Sequence, residues 1–455
     1  MTDIQTEAED GLDSRRVSAI VEAIEAEDVG QLRLLFEPLH AADIADVLEQ
    51  IGSHDRRALL GLWSEGIDGE VLSEIDDSIR EEVIEALPHA VVAEAMRELD
   101  SDDVVDILED LGTPQQDMIL GALEDVDRVA VQQALSYPEN SAGRLMQREV
   151  VAAPEHWTVG DAVDYLRKAE WLPEQFYHVI LTNPRMKPVG YVTLGRMLSS
   201  RRDTKLKEIV EDSFRVIDAT DPEADVAYLF NQYHLISCPV VDENGRLVGT
   251  ITIDDAMNVL DEEHEEDMLL LAGVGEDSSI SDRVLGTLRL RMPWLFVNMW
   301  TALLSAVVIS QFEGTITQFV ALAVLMPIVA SMGGNAGTQG LTVAVRALAT
   351  RDLTQSNVWR VIWREAAVGL LNGLVFAMVM GGIAWLWFQN GLLGAVIAVA
   401  MTINLLVAGL AGIVVPVTLE RWGFDPALAS GTFVTTLTDV TGFSVFLGLA
   451  TWVLM

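Results

Sequence analysis

Residues 286–455 carry only 6 acidic and 7 basic side chains, and this constrains the fold more than any other feature of the chain. Apolar runs at 293–312, 316–348, 362–388, 391–419 and 427–454 are each long enough to cross a hydrocarbon core of about 30 Å. Lipid offers no partner to backbone N–H and C=O groups, so such runs fold as helices. The remaining residues, 1–285, hold 63 of the 69 acids and 22 of the 29 bases. The fold class is therefore a multidomain membrane protein, an acidic soluble region followed by an α-helical five-span domain whose solvent is the bilayer.

With the N-terminus inside, Arg283, Arg289, Arg291, Arg346, Arg351, Arg360, Arg364 and Arg421 all lie on the cytosolic side. The short outer loops around Glu313 and Asn390 carry no Lys or Arg, as the positive-inside rule requires. The expectation is a multi-pass protein of the inner cell membrane, its N-terminus cytoplasmic and Met455 outside. No basic, cleavable apolar leader opens the sequence, which agrees. The single Cys238 cannot form an intrachain disulfide. A soluble region so acidic excludes nucleic acid as a partner and favours cations. Salt adaptation would give the same surface, with 4 Lys against 25 Arg.

The soluble region has two textures. From Leu39 an apolar residue returns every twelve positions, through Ile51, Trp63, Ile75, Leu87, Leu99, Leu111, Leu123 and Leu135. Leu48, Leu60, Leu72, Ile84, Met96, Leu108 and Leu120 echo it one turn earlier. Each unit reads as one short helix plus a turn that must stack on its neighbours, giving an all-α helical-repeat domain over 1–136. Asp100, Asp102, Asp103 and Asp106 are candidate oxygen donors for a hard cation on that scaffold, or simply its solvated face.

Over 137–260, β-branched runs alternate with amphipathic helices, and two segments repeat at a spacing of 59 residues, Pro188-Val-Gly-Tyr-Val-Thr-Leu and Leu247-Val-Gly-Thr-Ile-Thr-Ile. The Asn244-Gly245 pair between the last two strands predicts a two-residue hairpin turn. This α/β region resembles a tandem CBS pair, a module that often binds adenosine nucleotides such as ATP. That resemblance implies nucleotide contacts from Thr252 and Asp255 in the run Gly249-x-x-Thr252-x-x-Asp255. The first copy reads Gly190, Thr193, Arg196 and lacks the acid. The acid-rich segment Asp261-Glu-Glu-His-Glu-Glu-Asp267 follows, within an expected connecting helix over 261–285. Like charges at i and i+4 make it self-repelling unless cations screen it.

Two motifs stand out in the membrane domain, taken as 286–455. Met326-Pro-Ile-Val-Ala-Ser-Met-Gly-Gly-Asn-Ala-Gly-Thr-Gln339 combines Pro327, which frees a carbonyl, with closely spaced glycines, which suits either an ion path lined by carbonyls or plain helix packing. Asp439 lies in the last apolar run among Thr435, Thr436, Thr438 and Thr441. A carboxylate in mid-membrane costs about 3 kcal/mol or more unless it meets water, a partner or an ion. Acid, hydroxyls and carbonyls without Cys or His form an oxygen donor set, suited to Mg²⁺ or Ca²⁺.

The order of acidic helical repeats, CBS pair, acid-rich connection and five spans resembles the MgtE family of magnesium channels and transporters over essentially the whole chain. The carrying strings are Pro327 through Gly-Gly-Asn335-Ala-Gly-Thr-Gln339, and Pro416 followed by Gly423-Phe-Asp425-Pro426-Ala and Asp439. The resemblance implies a homodimer with its pore on the two-fold axis, lined by the second and fifth spans. Asp439 would be the pore acid, with carbonyls near Gly334, Asn335 and Thr435 completing the ring. It also implies closure by cytosolic Mg²⁺ at sensor acids, which fall on Asp254, Asp255, Glu263, Glu266 and Asp267, with Asp103 and Asp425 as further candidates. Asn258, His234 and Ala224 depart from family positions that are often acidic. Other divalent cations, a proton-coupled secondary transporter regulated by CBS domains, and a non-transporting sensor with Asp439 paired to Thr hydroxyls all remain open. No nucleophile–base pair, phosphate loop or metal-hydrolase spacing marks an enzyme.

Overall fold

The computed structural model describes residue 12 and residues 14–455 except 170, 174–175, 212–213, 276–277 and 279–283, with backbone alone for Ala429 and Ser430. Arg283, counted above among the cytosolic arginines, lies outside the described residues. The chain forms two compact units, Met1–Asp261 and Glu262–Met455.

The first unit opens with Ser14–Glu25 and Val29–Phe36, after which helix starts recur every twelve residues. The helices are Ala41–Gln50, Ser53–Leu62, Asp77–Ala86, His89–Glu98, Ser101–Glu109, Thr113–Ala122 and Asp125–Ala134. One slot departs, filled by the 3-10 turn Ser64–Gly66 and the short helix Gly69–Ser73. The repeating apolar residue sits at the helix end, where Ile51, Trp63, Leu87, Leu99, Leu123 and Leu135 are C-caps. Leu48, Leu60, Leu72, Ile84, Met96 and Leu108, one turn earlier, are buried. Helices pack on their next-but-one neighbours, Ala41–Gln50 on Gly69–Ser73 and Ser53–Leu62 on Asp77–Ala86, so the stack is a helical solenoid.

A polar device repeats with the same period. Arg56 donates from Nε to Leu48 O at 2.7 Å and from Nη2 to Ile51 O at 3.2 Å. Gln116, at the same place in a later unit, donates from Nε2 to Leu108 O at 2.8 Å and Leu111 O at 3.0 Å. Arg80 donates from Nε to Ile75 O at 3.2 Å. Arg56 and Gln116 bond the open carbonyl end of the preceding helix, whose last C=O groups have no partner within the helix, and Arg80 bonds the turn just beyond it. Arg56 and Arg80 are buried, and each also pairs with acids two units on: Arg56 with Glu82 at 2.9 Å, Arg80 with Asp106 at 3.1 Å and with Asp110.

Two three-stranded sheets follow. In the first, β1 (Ala152–Pro154) is parallel to β2 (His178–Thr182), which is antiparallel to β3 (Pro188–Thr193). In the second, β4 (Ile217–Asp218), β5 (Ser237–Val241) and β6 (Leu247–Thr252) repeat that topology, down to the register irregularity at Leu181/Thr182 and again at Val240/Val241. His178 and Ser237, equivalent positions in the two copies, hydrogen-bond to each other. The connection around Asn244 is not the expected two-residue turn. Asp242 N donates to Arg246 O at 2.9 Å, so three residues lie between the paired positions, and only Gly245 takes a positive φ (+70°). A two-residue type I′ turn needs positive φ at both central residues, whereas Asp242 Oδ1 accepts from Asn244 N and Arg246 N and holds the longer turn.

In the second unit, five helices are long and apolar enough to cross a membrane: Val284–Ser310, Ala321–Ala349, Val358–Phe388, Gly391–Arg421 and the last, Pro426–Leu454, through its described part Gly431–Leu454. We call them the first to fifth spans. The fourth is central, packing on the second, third and fifth, while the first packs mainly on the fifth. The acid-rich connection is one helix, Ile253–Leu271, continuous with the element that follows β6. Its Leu270 is buried with Leu341, Val345 and Ala427 at the ends of the second and fifth spans.

Candidate ion path and acidic clusters

The second and fifth spans meet closely because glycines line their contact. A Cβ placed on Gly337 would lie 2.5 Å from Val434 Cγ1, and one on Gly334 would lie 3.9 Å from Thr435 Cγ2. Gly334 and Thr435 are thus brought together. Beside that contact the second span exposes Ser331, Asn335, Thr338 and Thr342, spaced as one helical face, with Gln339 alongside. Thr435 of the fifth span is exposed and Asp439 half-buried.

The hydroxyls of Thr435, Thr436 and Thr438 turn away from Asp439. Thr435 Oγ1 donates to Gly431 O at 2.9 Å, Thr436 Oγ1 to Thr432 O at 2.6 Å and Thr438 Oγ1 to Thr435 O at 2.9 Å. These are the back-bonds that hydroxyls make within a helix. They leave Asp439 with no hydrogen-bond donor among the described residues. The carbonyls of Gly334 and Thr435 are themselves bonded, Gly334 O by Thr338 Oγ1 at 3.0 Å. Each carbonyl retains a second lone pair.

The first acidic cluster is built where Ser101–Glu109 meets the start of Ile253–Leu271. Burial pushes Asp103 up to about 7, helped by Asp255, Asp100, Asp106 and Asp254. Burial also pushes Asp255 up to about 7 against the hydrogen bond from Thr252, with Asp254 and Asp106 adding to the rise. Asp102 is raised by burial and by Asp255, Asp103 and Asp100. Of the sensor candidates, Asp103, Asp254 and Asp255 are therefore together.

The second cluster lies at the base of the fifth span. Asp425 caps that helix, its Oδ1 accepting from Ala427 N at 2.5 Å and Leu428 N at 3.3 Å. Burial, then Asp425, then Glu263 push Asp267 up to about 6, and burial and Asp425 raise Glu263. Glu266, on the same helix, is exposed. Among the described residues no three His, Cys, Asp or Glu side chains converge tightly enough to hold a metal ion by themselves. Each cluster offers concentrated negative charge and oxygen donors, which fit a hard cation that keeps part of its water shell.

At the candidate nucleotide site, Thr252 Oγ1 bonds Asp255 Oδ2 at 2.5 Å. In the first CBS copy Arg196 pairs instead with Glu211 at 3.0 Å. His234 ends its helix in the left-handed conformation, and Asn258 is exposed. One buried polar residue beside the candidate path carries no signal in the motifs above. Asn404, fully buried in the fourth span, donates from Nδ2 to Val329 O of the second span at 2.9 Å. The signal was a carboxamide inside an apolar run of 29 residues.

Residues 326–449 match the family model of the MgtE divalent cation transporter, 39–140 that of the MgtE intracellular N domain, and 142–203 and 206–262 that of the CBS domain. The chain is 30% identical to the magnesium transporter MgtE of Thermus thermophilus over 445 residues, 96% of this chain and 98% of that one. The chain belongs to the MgtE family. MgtE of Enterococcus faecalis is 33% identical over 320 residues, 70% of each chain, and MgtE of Bacillus subtilis 29% over 423 residues, 93% of this chain and 94% of that one. A solved cytosolic domain of the Mg²⁺ channel MgtE in complex with ATP is similar at 27% identity and a TM-score of 0.49, covering 53% of this chain and 99% of that one. This MgtE homologue is a multi-pass transporter with an intracellular N domain and a CBS pair, and not an enzyme.

Proposed function

We propose that two copies of the chain form a Mg²⁺ channel whose pore runs between their second and fifth spans, with Asp439 from each copy facing the ion. Asp439 carries this reading: a membrane carboxylate is left to water and to a cation when the hydroxyls of Thr435, Thr436 and Thr438 beside it are turned to their own helix carbonyls. The exposed polar face of the second span supports the dimer, since such a face is costly against lipid and a second copy would enclose it around water. Mg²⁺ dehydrates reluctantly, so two carboxylates holding it through its water shell suit its chemistry. The N-terminus and both acidic clusters lie in the cytosol, and Met455 lies outside.

Closing is the work of the clusters. Each gathers carboxylates that repel one another, and Mg²⁺ bridging them stabilises the arrangement that brings them together. A ligand shifts a two-state equilibrium only by binding one state better than the other, and bridged acids bind better when gathered. An adenosine nucleotide would bind at the second CBS copy through Thr252 and Asp255. Recordings from patches holding the purified protein test the channel: Asp439→Ala should abolish Mg²⁺ current while leaving the dimer intact. Wild-type current in that variant overturns the pore assignment.

A further inference from the structure

The fourth span has no place in the proposed pore lining, yet it sends one polar side chain into the seam between the two helices that do. Asn404 is 0% exposed, and its amide occupies space that two glycines leave open. A Cβ on Gly333 of the second span would lie 2.3 Å from Asn404 Nδ2, and one on Gly442 of the fifth span 2.8 Å from the same atom. Nδ2 donates to Val329 O at 2.9 Å, while Oδ1 is buried with no hydrogen-bond partner among the described residues. A buried amide oxygen without a donor destabilises a fold, and an apolar side chain of similar size would avoid that cost. Packing alone therefore gives no reason for an Asn here. Gly333 immediately precedes Gly334 and Asn335, and Gly442 is one turn beyond Asp439. The wedge is thus at the level of the pore candidates.

We propose that Asn404 is a positioning residue for ion passage, a carboxamide wedge that sets the separation and register of the second and fifth spans. It touches no ion. It fixes Val329 through a hydrogen bond and fills the two glycine notches, so that Asn335 and Asp439 are presented at a fixed spacing. The specificity of a site that holds a cation through its water shell depends on that spacing, because ions differ in how far their hydrated radius and shell can adapt. The inference rests on the reading of these two spans as the pore.

The test uses full-length protein in liposomes, with dimer content measured beside uptake. Asn404→Ala should lower Mg²⁺ uptake per dimer at least tenfold or shift the preference of Mg²⁺ over Ca²⁺ by a similar factor. Gly442→Ala, whose methyl meets the Asn404 amide, should impair uptake, and Asn404→Ala added to it should restore part of what Gly442→Ala loses. If Asn404→Ala alone assembles poorly, the pair still decides, because only a wedge between these positions gives mutual suppression. Uptake and preference per dimer unchanged in Asn404→Ala, or a double variant no better than Gly442→Ala, overturns the proposal. Asp439→Ala is run in parallel: normal uptake there defeats the pore reading itself, whereas its loss with no effect at Asn404 defeats only the wedge.

Discussion

The carboxylate of Asp255 stands against that of Asp103 and raises it, and both sit at about 7 because burial first strips them of water. These values lie above the ordinary carboxylate range, so the folded arrangement takes up protons as pH falls from about 7 toward 4. The stabilisation is fully present below the unfolded value near 4 and is lost as pH rises through about 7. A proton thus satisfies the charge that the proposed bridging cation would neutralise.

Protection of the helix Ser101–Glu109 from hydrogen exchange should be higher at pH 5 than at pH 8 when Mg²⁺ is chelated. Saturating Mg²⁺ should remove most of that difference, and NaCl at equal ionic strength should not, because screening of exposed charge is not site binding. Equal protection by NaCl would assign these acids to salt adaptation.

Replacing Arg80 by Leu should destabilise the first unit by about 3 kcal/mol, since the buried guanidinium serves both the Ile75 carbonyl and the acids Asp77, Asp106 and Asp110. In a unit of this size that lowers the melting temperature by roughly 6–10 °C. Arg57→Leu is the control. Arg57 pairs with Glu82 at 2.9 Å but is 58% exposed, so its loss should change stability by less than about 1 kcal/mol. A melting temperature equally tolerant of both changes would remove the polar ladder from the fold's supports.

Much of this architecture was legible because it is periodic. The twelve-residue return of Ile51, Leu87 and Leu123 fixes helix starts, and the 59-residue repeat fixes two sheets of one topology. Arg56, Arg80 and Gln116 were harder to see, because residues of different charge do one job whose partners are backbone carbonyls. The turn at Asn244 shows a similar limit: Asn-Gly is read as type I′, but the side chain of Asp242 decided the geometry. Asn404 shows as a carboxamide in an apolar run, but its place does not, because the space it fills is made by absences, the side chains that Gly333 and Gly442 do not have.

The proposed function gives Asp255 two ligands, and substitutions separate them. Asp255→Asn should weaken binding of an ATP analogue by roughly 10- to 100-fold through loss of a charge-assisted acceptor, whereas Asp103→Asn should leave it unchanged. Both should lower the Mg²⁺ dependence of closing. Calorimetry on full-length protein reads the first effect and channel recordings the second. Unaltered nucleotide affinity in Asp255→Asn would remove the second CBS copy as a nucleotide site.

Asp425 does two things at once, and two substitutions divide them. Its Oδ1 caps the fifth span through Ala427 N and Leu428 N, and its charge is the foremost neighbour raising Asp267 and Glu263. Asparagine keeps the capping acceptor and removes the charge, so Asp425→Asn should melt at the wild-type temperature. Alanine removes both and should cost about 1 kcal/mol more. With the charge gone, Asp267 should titrate below its present value of about 6, and a bridging cation loses one carboxylate. The concentration of Mg²⁺ needed to close the channel should then rise about tenfold in Asp425→Asn. If Asn gates as wild type while Ala alone is altered, Asp425 is a helix cap and the second cluster holds no regulatory ion. If both lose Mg²⁺ inhibition to the same degree despite different melting temperatures, charge rather than capping couples the connecting helix to the fifth span.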